Sequence, residues 1–395
     1  MAIIEKDTVA PDPSGATKPK LPGALYVAQQ AYRDWFGKDV QETPTVSYVW
    51  TADQFGHFGL GFQITYLLGW IAQILDYKSP RTLFGLAVAN VTVWVVKEGF
   101  DYLRELKKAR AAKSIFKFNG KEIGRNVFTA LFYIAYGALV AGLAEINPIY
   151  GIYSVFAVAP FALWLAFVWL RVKITFQQAG LPYLYRLATF PNNIDRKIAE
   201  FIVEISKPGQ AGPAVPNGKH FLISGPLDSG KSSLAVGIGT EFAFRLGIGR
   251  YTTLIKFLES AIADERQPGQ PEFNDGRILW PWETSDLLII DDVDVVNELI
   301  PGSGEQMVIE RQVARQRIAA LQARVRPDLL KTLKNRRTVW VVGDAHDREL
   351  VEWQTMIANV LGIEPAEIKT LDLTMKIQQA LLARAAPTPA EQVEQ

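Results

Sequence analysis

The eight residues Gly225, Pro226, Leu227, Asp228, Ser229, Gly230, Lys231 and Ser232 fit G-x-x-x-x-G-K-[ST] and directly follow the apolar stretch His220–Ser224. In that strand-to-helix setting the spacing suits one kind of chemistry. Gly225 and Gly230 let the backbone curl so that successive N–H groups turn inward on a phosphate, and a helix over 231–246 adds the positive end of its dipole. Lys231 is then placed to reach β- and γ-phosphates, and the Ser232 hydroxyl, with Ser233 beside it, to take one coordination position on Mg²⁺. A nucleoside triphosphate is the ligand this pattern expects.

Acidic groups follow at the ends of later strands. Apolar runs at 219–224, 250–253, 286–290, 338–342 and 368–373 alternate with helical segments, including one at 254–264, which predicts a parallel sheet with its site at the carboxyl ends. The third run ends in Asp291-Asp292 and the fourth in Gly343-Asp344. Asp291 is expected to hold Mg²⁺, directly or through water, and Asp292 to orient or deprotonate an attacking water. Asp294 reads as a helix cap or a solvated residue. No N-K-x-D base-reading motif follows the glycine-rich loop, so ATP with Mg is the expected pairing rather than GTP.

Those elements occupy only the second half of the chain. The 395 residues carry 42 Lys and Arg against 41 Asp and Glu, a net charge of +1, with 49% hydrophobic residues, no cysteine and three histidines. Disulfides, thiol nucleophiles and cysteine-ligated metals are excluded, and a histidine-rich metal site is not expected. The near-neutral balance offers no electrostatic footprint for nucleic acid, which is not an expected partner. Before about residue 175, charges are sparse between four apolar blocks at 55–75, 82–96, 127–144 and 149–170, each near the roughly 20 residues that cross a bilayer as a helix. The second is the weakest, being short and containing Asn90. The connection 97–126 carries nine basic residues, the link 145–149 none. By the positive-inside rule the former is cytoplasmic and both termini lie there with the ATP site, in a multi-pass protein of a bacterial-type inner membrane.

The expected organisation follows: 1–22 a disordered tail without the apolar core of a signal peptide; 23–54 an amphipathic or interfacial segment; 55–175 a four-helix transmembrane region; 176–217 a connecting helix and Pro/Gly linker; 218–374 the nucleotide domain; and 375–395 a tail. The segment 23–36 either lies on the membrane surface or packs on the bundle or the soluble domain. A polar group stands at the membrane face: Asp53 and His57, four apart, and Lys97, Glu98 and Asp101, with Lys97 and Asp101 four apart. It reads as interfacial ion pairs that fix helix depth, or as a headgroup, proton or ion site. The pattern D-x-x-x-H-F, followed after a second crossing by K-E-x-x-D, resembles the membrane region of VanZ-like proteins, a resemblance that transfers no activity.

The series GPLDSGKSS, RYTTLIKFLESAI, DLLIIDDVDVV and TVWVVGDAHDREL is similar to AAA+ P-loop ATPases, in particular the branch of DnaA, DnaC and IstB, over about 160 residues. The resemblance implies an α/β P-loop NTPase with a parallel sheet, here joined to an N-terminal all-α polytopic transmembrane region. It implies Asp292 as catalytic base, Asp344 as the polar sensor of the γ-phosphate or water, and a homo-oligomer. Two departures are plain: the helix at 348–361 lacks the Ser-Arg ending that supplies a trans-acting arginine, and after the fifth strand no room remains for the helical lid. Arg336 and Arg337, or Arg311, Arg315 and Arg317 on a long helix over 304–325, read either as a solvated basic face, the commoner case, or as replacement arginines. Three functions stay open: a membrane-anchored AAA+-like ATPase whose nucleotide state controls oligomerisation or the membrane helices, with or without a protein partner; an ATP-gated membrane effector or channel; and a membrane-tethered DNA-remodelling or loading factor.

Overall fold

The computed structural model describes residues 22–36, 45–111, 114–116, 120–191, 194–209, 218–262, 272–274, 277–294, 312–313, 315–316, 318–319, 327–345 and 347–373. The expected tails at both ends and most of the helix expected over 304–325, Arg311 and Arg317 included, lie outside them. The chain divides into two compact units, one covering Pro22–Gln177 and the other the described residues from Gln178 onward.

The described residues of the first unit form five helices: α1 (Ala24–Phe36), α2 (Val46–Ile74), α3 (Pro80–Ala111), α4 (Gly120–Ile146) and α5 (Pro148–Gln178). Thr45 caps α2 by accepting from the Tyr48 N–H, so this helix starts nine residues before the expected block at 55. Helix α3 likewise runs on through the basic stretch to Ala111, which makes most of the expected 97–126 loop a helical extension. Among the described residues, three helical stretches are long and apolar enough to cross a membrane: Pro80–Lys108, Ile123–Ile146 and Pro148–Gln178. The block expected to be weakest is thus among them. Helix α2 is not, because Gln63, Gln73, Tyr66 and four glycines dilute its apolar residues.

Close backbone approach holds α2 against α4. A Cβ added at Gly61 would collide with the Ile134 carbonyl, and one at Gly137 with the Phe58 carbonyl. Small residues at such crossings let helices pack without a hydrophobic driving force between them. Asn90 of α3 is buried and donates from Nδ2 to the Gly61 carbonyl (3.1 Å) and to Thr65 Oγ1 (2.9 Å), so the polar group that weakened this block is a cross-helix tie. Tyr133 and Tyr136 of α4 donate to the carbonyls of Ala162 and Val155 on α5. Helix α1 packs on this bundle through Val27, beside Trp50, Trp169 and Ile174. The outer faces stay apolar: Trp70 and Ile74 of α2, Phe84 and Val96 of α3, and Phe156 and Leu163 of α5 are all more than half exposed.

The second unit is an α/β layer structure. After α6 (Arg196–Ile205) come β1 (His220–Ser224), α7 (Lys231–Phe244), β2 (Gly249–Thr253), α8 (Leu254–Ile262), β3 (Glu272–Asn274), β4 (Arg277–Leu279), β5 (Leu287–Asp291), α9 (Pro327–Lys334), β6 (Arg337–Val341), α10 (Asp347–Leu361) and β7 (Ile368–Asp372). Five strands form one parallel sheet in the order β2-β5-β6-β1-β7, while β3 and β4 make a small antiparallel hairpin that periodicity did not predict. Runs such as FLI, LLII and TVWV are buried on both sheet faces, which is why they read as continuous apolar strands. Leu222, Ile290 and Trp340 pack with Phe257, Trp282 and Trp353 from the covering elements. The connection from β1 runs to β2 on one side of it and the connection from β6 to β7 on the other, and the crevice at such a reversal, outside the carboxyl ends, is where a doubly wound sheet binds ligands. This is an α/β P-loop NTPase fold joined to an all-α region of membrane-length helices.

Candidate functional site

The loop between β1 and α7 leaves the sheet at that switch point. Gly225 cannot carry a side chain, since a Cβ would stand 2.5 Å from Ser229 Oγ and 3.0 Å from Leu373 Cβ. Gly230 caps α7 at φ 84°, and Asp228 also adopts a left-handed conformation, at φ 61°. The result is a tight curl ending at a helix N-terminus. Lys231 Nζ donates back to the Pro226 carbonyl at 3.3 Å, so the lysine lies along the loop rather than away from it.

Asp291, at the end of β5, is buried to 1% exposure and is met from three sides. The Ser232 hydroxyl donates to its Oδ1 at 3.3 Å, the Asp292 N–H donates to the same oxygen at 2.8 Å, and the Tyr251 hydroxyl donates to Oδ2 at 2.7 Å. Burial pushes the Tyr251 phenol far above its ordinary range and the Asp291 carboxylate adds to the effect, so Tyr251 is always a donor. The donor set fits Mg²⁺: a hydroxyl and a carboxylate are hard oxygens, and their 3.3 Å separation is near the roughly 3 Å between neighbouring oxygens of an octahedral Mg²⁺ site.

Asp292 itself is exposed and held at φ 51°. Left-handed backbone at a non-glycine residue is uncommon and is favoured by Asp and Asn. The next turn is knitted to β6 and the loop that follows it. Val293 N–H donates to the Val341 carbonyl at 3.1 Å, and Gly343 N–H to Asp294 Oδ1 at 2.8 Å. Asp294, expected as a cap or solvated residue, instead holds the loop of Asp344 in place. From the other side Ser224 of β1 accepts from the Ala345 N–H at 3.0 Å and donates to the Gly343 carbonyl at 3.0 Å. Asp344 therefore stands in a loop tied both to the phosphate-loop strand and to the turn after Asp292.

The arginines considered as replacements are engaged elsewhere within the chain. Arg336 donates to the carbonyls of Trp282 (3.3 Å) and Ser285 (2.6 Å), and Arg337 packs over the Phe242 ring at 5.8 Å. Both lie at the amino end of β6, the opposite end of the sheet from the phosphate loop. Arg315 is paired with Glu349 (3.3 Å) and Glu352 (3.2 Å) of α10 and stacks on Trp353. None of these three stands at the phosphate loop of its own chain.

In the helical unit the two polar pairs are each closed within one helix. His57 Nδ1 lies 3.7 Å from Asp53 Oδ2, while Lys97 Nζ lies 2.7 Å from Glu98 and 3.0 Å from Asp101. Among the described residues no hydrogen bond or ion pair joins the two groups. Sequence reasoning passed over a buried carboxylate in this unit, Asp34 of α1, which accepts from Ser47 of α2 and from Gln30 (2.9 Å) and Gln177 (3.4 Å).

It also passed over Tyr251 and Tyr183, whose hydroxyl lies 3.1 Å from Ser233 Oγ beside the phosphate loop. For Tyr251, a polar aromatic within a short strand was the available signal.

No protein-family model matches the chain, and no curated protein does, so the VanZ-like resemblance of the membrane half finds no support. Solved structures similar to it include the following two. The DnaC helicase loader shares 17% identity over 50% of this chain and 97% of that chain, at a TM-score of 0.29. DnaI shares 13% identity over 50% of this chain and 96% of that chain, also at 0.29. Likeness at that level assigns neither activity nor partner.

Proposed function

We propose that this chain is a membrane-anchored, AAA+-like ATPase whose nucleotide state controls its self-association or the packing of its membrane helices. The observation that carries the reading is the Ser232–Asp291 pair at the mouth of the glycine-rich loop, on the carboxyl edge of a parallel sheet. In this reading the N–H groups of 225–232 and the α7 N-terminus take the β-phosphate, and Lys231 leaves the Pro226 carbonyl for the β- and γ-phosphates. Ser232 and Asp291 hold Mg²⁺, which when bound neutralises charge developing on the γ-phosphoryl oxygens. Asp292 takes the proton of the attacking water, and Asp344 reads the γ-phosphate or that water from its braced loop.

Packing supports four crossings despite the polar residues of α2. That helix lies along α4 at Gly61 and Gly137, and its outward face is apolar at Phe55, Leu67, Trp70 and Ile74. With four crossings both ends of the bundle's chain stand on the ATP side, the arrangement favoured by the basic residues at 97–126. The arginine geometry bears on turnover. A charge-stabilising arginine supplied in trans requires a second copy of the chain, so slow turnover alone and faster turnover in an oligomer are the expected behaviour.

The test is the size of the detergent-solubilised full chain by light scattering, with and without ATP and Mg²⁺. A shift to a larger assembly with Mg·ATP, absent in Lys231→Ala, supports the reading. An unchanged monomer under all conditions removes the assembly switch.

A further inference from the structure

We infer that Tyr251 is a positioning residue for the Mg²⁺ ligand Asp291, and that it is itself held by the chain emerging from α5. The inference rests on the ATP-site reading above and adds a residue and a route that the glycine-rich motif does not contain.

Each oxygen of the Asp291 carboxylate has its own donors. Oδ1 takes Ser232 and the Asp292 N–H, and Oδ2 takes the Tyr251 hydroxyl at 2.7 Å. With Oδ2 engaged, rotation of the carboxylate is blocked and Oδ1 stays turned to Ser232, where the metal would sit. Outer partners that orient a metal ligand are worth about 10- to 100-fold in metal affinity or activity. Tyr251 reaches Asp291 because β2 pairs in parallel with β5, in the register that sets Tyr251 against Ile289 and Thr253 against Asp291.

The backbone of the same residue points the other way. β2 is the edge strand of the sheet, and the Tyr251 N–H donates at 2.8 Å to the carbonyl of Ala179, the residue directly after the end of α5 at Gln178. From there the chain lies as a strap along α7. Leu181 comes within 2.7 Å of where a Cβ on Gly239 would stand, and Leu187 within 2.8 Å of one on Gly237. Between them the Tyr183 hydroxyl meets Ser233 Oγ at 3.1 Å, and Arg186 pairs with Glu241 at 2.8 Å. The two glycines leave the space that the side chains of Leu181 and Leu187 fill. One residue thus touches the metal ligand with its side chain and the start of the strap, Ala179, with its backbone. Metal occupancy and the pose of the strap are coupled through it.

The experiment measures binding of a fluorescent ATP analogue to the full chain in lipid nanodiscs, first without metal and then over a Mg²⁺ titration. Tyr251→Phe keeps the ring and removes only the hydroxyl. Metal-free affinity should stay within about twofold of wild type while the Mg²⁺ concentration for half-saturation rises about tenfold or more. The strap variant Leu181→Ala/Leu187→Ala should move the Mg²⁺ midpoint in the same direction. An unchanged midpoint in Tyr251→Phe overturns the positioning role, and an unchanged midpoint in the strap variant overturns the coupling. Loss of metal-free binding in Tyr251→Phe makes the residue merely structural and also overturns the inference. Wild type that binds no nucleotide at all is a different result, since it ends the ATP-site reading itself.

Discussion

Ser232, the first hydroxyl of the helix after the glycine-rich loop, donates to Asp291 at 3.3 Å although 59 positions separate them in the chain. Two motifs that are each short enough to occur by chance are thereby brought to one point. The predicted consequence is a split between two kinds of variant. Asp291→Asn and Ser232→Ala should spare metal-free nucleotide binding but lose most of its strengthening by Mg²⁺, whereas Lys231→Ala should lose both. Calorimetric titration with and without Mg²⁺ separates them, and equal behaviour of the three variants would dissolve the site as drawn.

Asp292 is the proposed base, and its φ of 51° constrains how it is tested. Asparagine tolerates left-handed backbone nearly as well as aspartate, so Asp292→Asn removes the base without straining the turn. Turnover should fall by about 10²- to 10⁴-fold, the usual contribution of a general base, with nucleotide affinity little changed. Phosphate release measured at saturating ATP decides it: full activity in Asp292→Asn takes the role away from this residue.

The α2–α4 crossing makes a prediction about glycine that composition alone does not. Gly61→Val drives a side chain into the Ile134 carbonyl and should destabilise the helical unit by about 1–3 kcal/mol or more. Gly56→Val in the same helix meets nothing within 4 Å and should leave the melting temperature in detergent nearly unchanged. Equal effects of the two substitutions would mean that α2 and α4 do not approach in this way.

His220 on β1 contributes a pH dependence. It is fully buried against Thr338 Oγ1 (2.8 Å) and the Lys334 carbonyl (3.2 Å), and burial lowers its pKa from 6.5 to about 4. An unfolded chain therefore takes up a proton on this ring before the folded one does. The stabilisation is complete above pH 6.5 and is lost as the pH falls from there toward 4, about 3 kcal/mol in all. Melting of wild type and His220→Gln should show a stability gap that narrows on acidification. A gap of the same size at pH 7.5 and pH 4.5 contradicts the assignment.

Much of the nucleotide half was legible because its strands are buried on both faces and therefore read as unbroken apolar runs. The expected strand at 368–373 and the observed Ile368–Asp372 differ by one residue, and 286–290 by one at each end. The glycine-rich loop was legible for the same local reason, since conformational need ties residue type to position. Tyr251 and Asp294 were not, because their partners lie 40 and 49 residues away and are set only by strand order and register. The strap was half-written in the sequence. Gly237 and Gly239 interrupt an otherwise apolar helix, which signals close approach but not by what. In the helical half, hydropathy located the blocks but judged them by composition. Asn90 counted against α3 until Gly61 and Thr65 satisfied it, and the glycines that dilute α2 are those that let it pack. Arg336 and Arg337 could not be placed from sequence, because a basic pair before a strand says nothing about which end of the sheet it occupies.

The central claim is a Mg·ATP site built from the loop at 225–232 and Asp291. It is tested most directly by equilibrium binding of ATP to the purified full chain, with and without Mg²⁺, in wild type and Lys231→Ala. Saturable binding that Mg²⁺ strengthens in wild type, and that disappears in Lys231→Ala, is the predicted result. Absence of binding in wild type, or equal binding in both proteins, would contradict it.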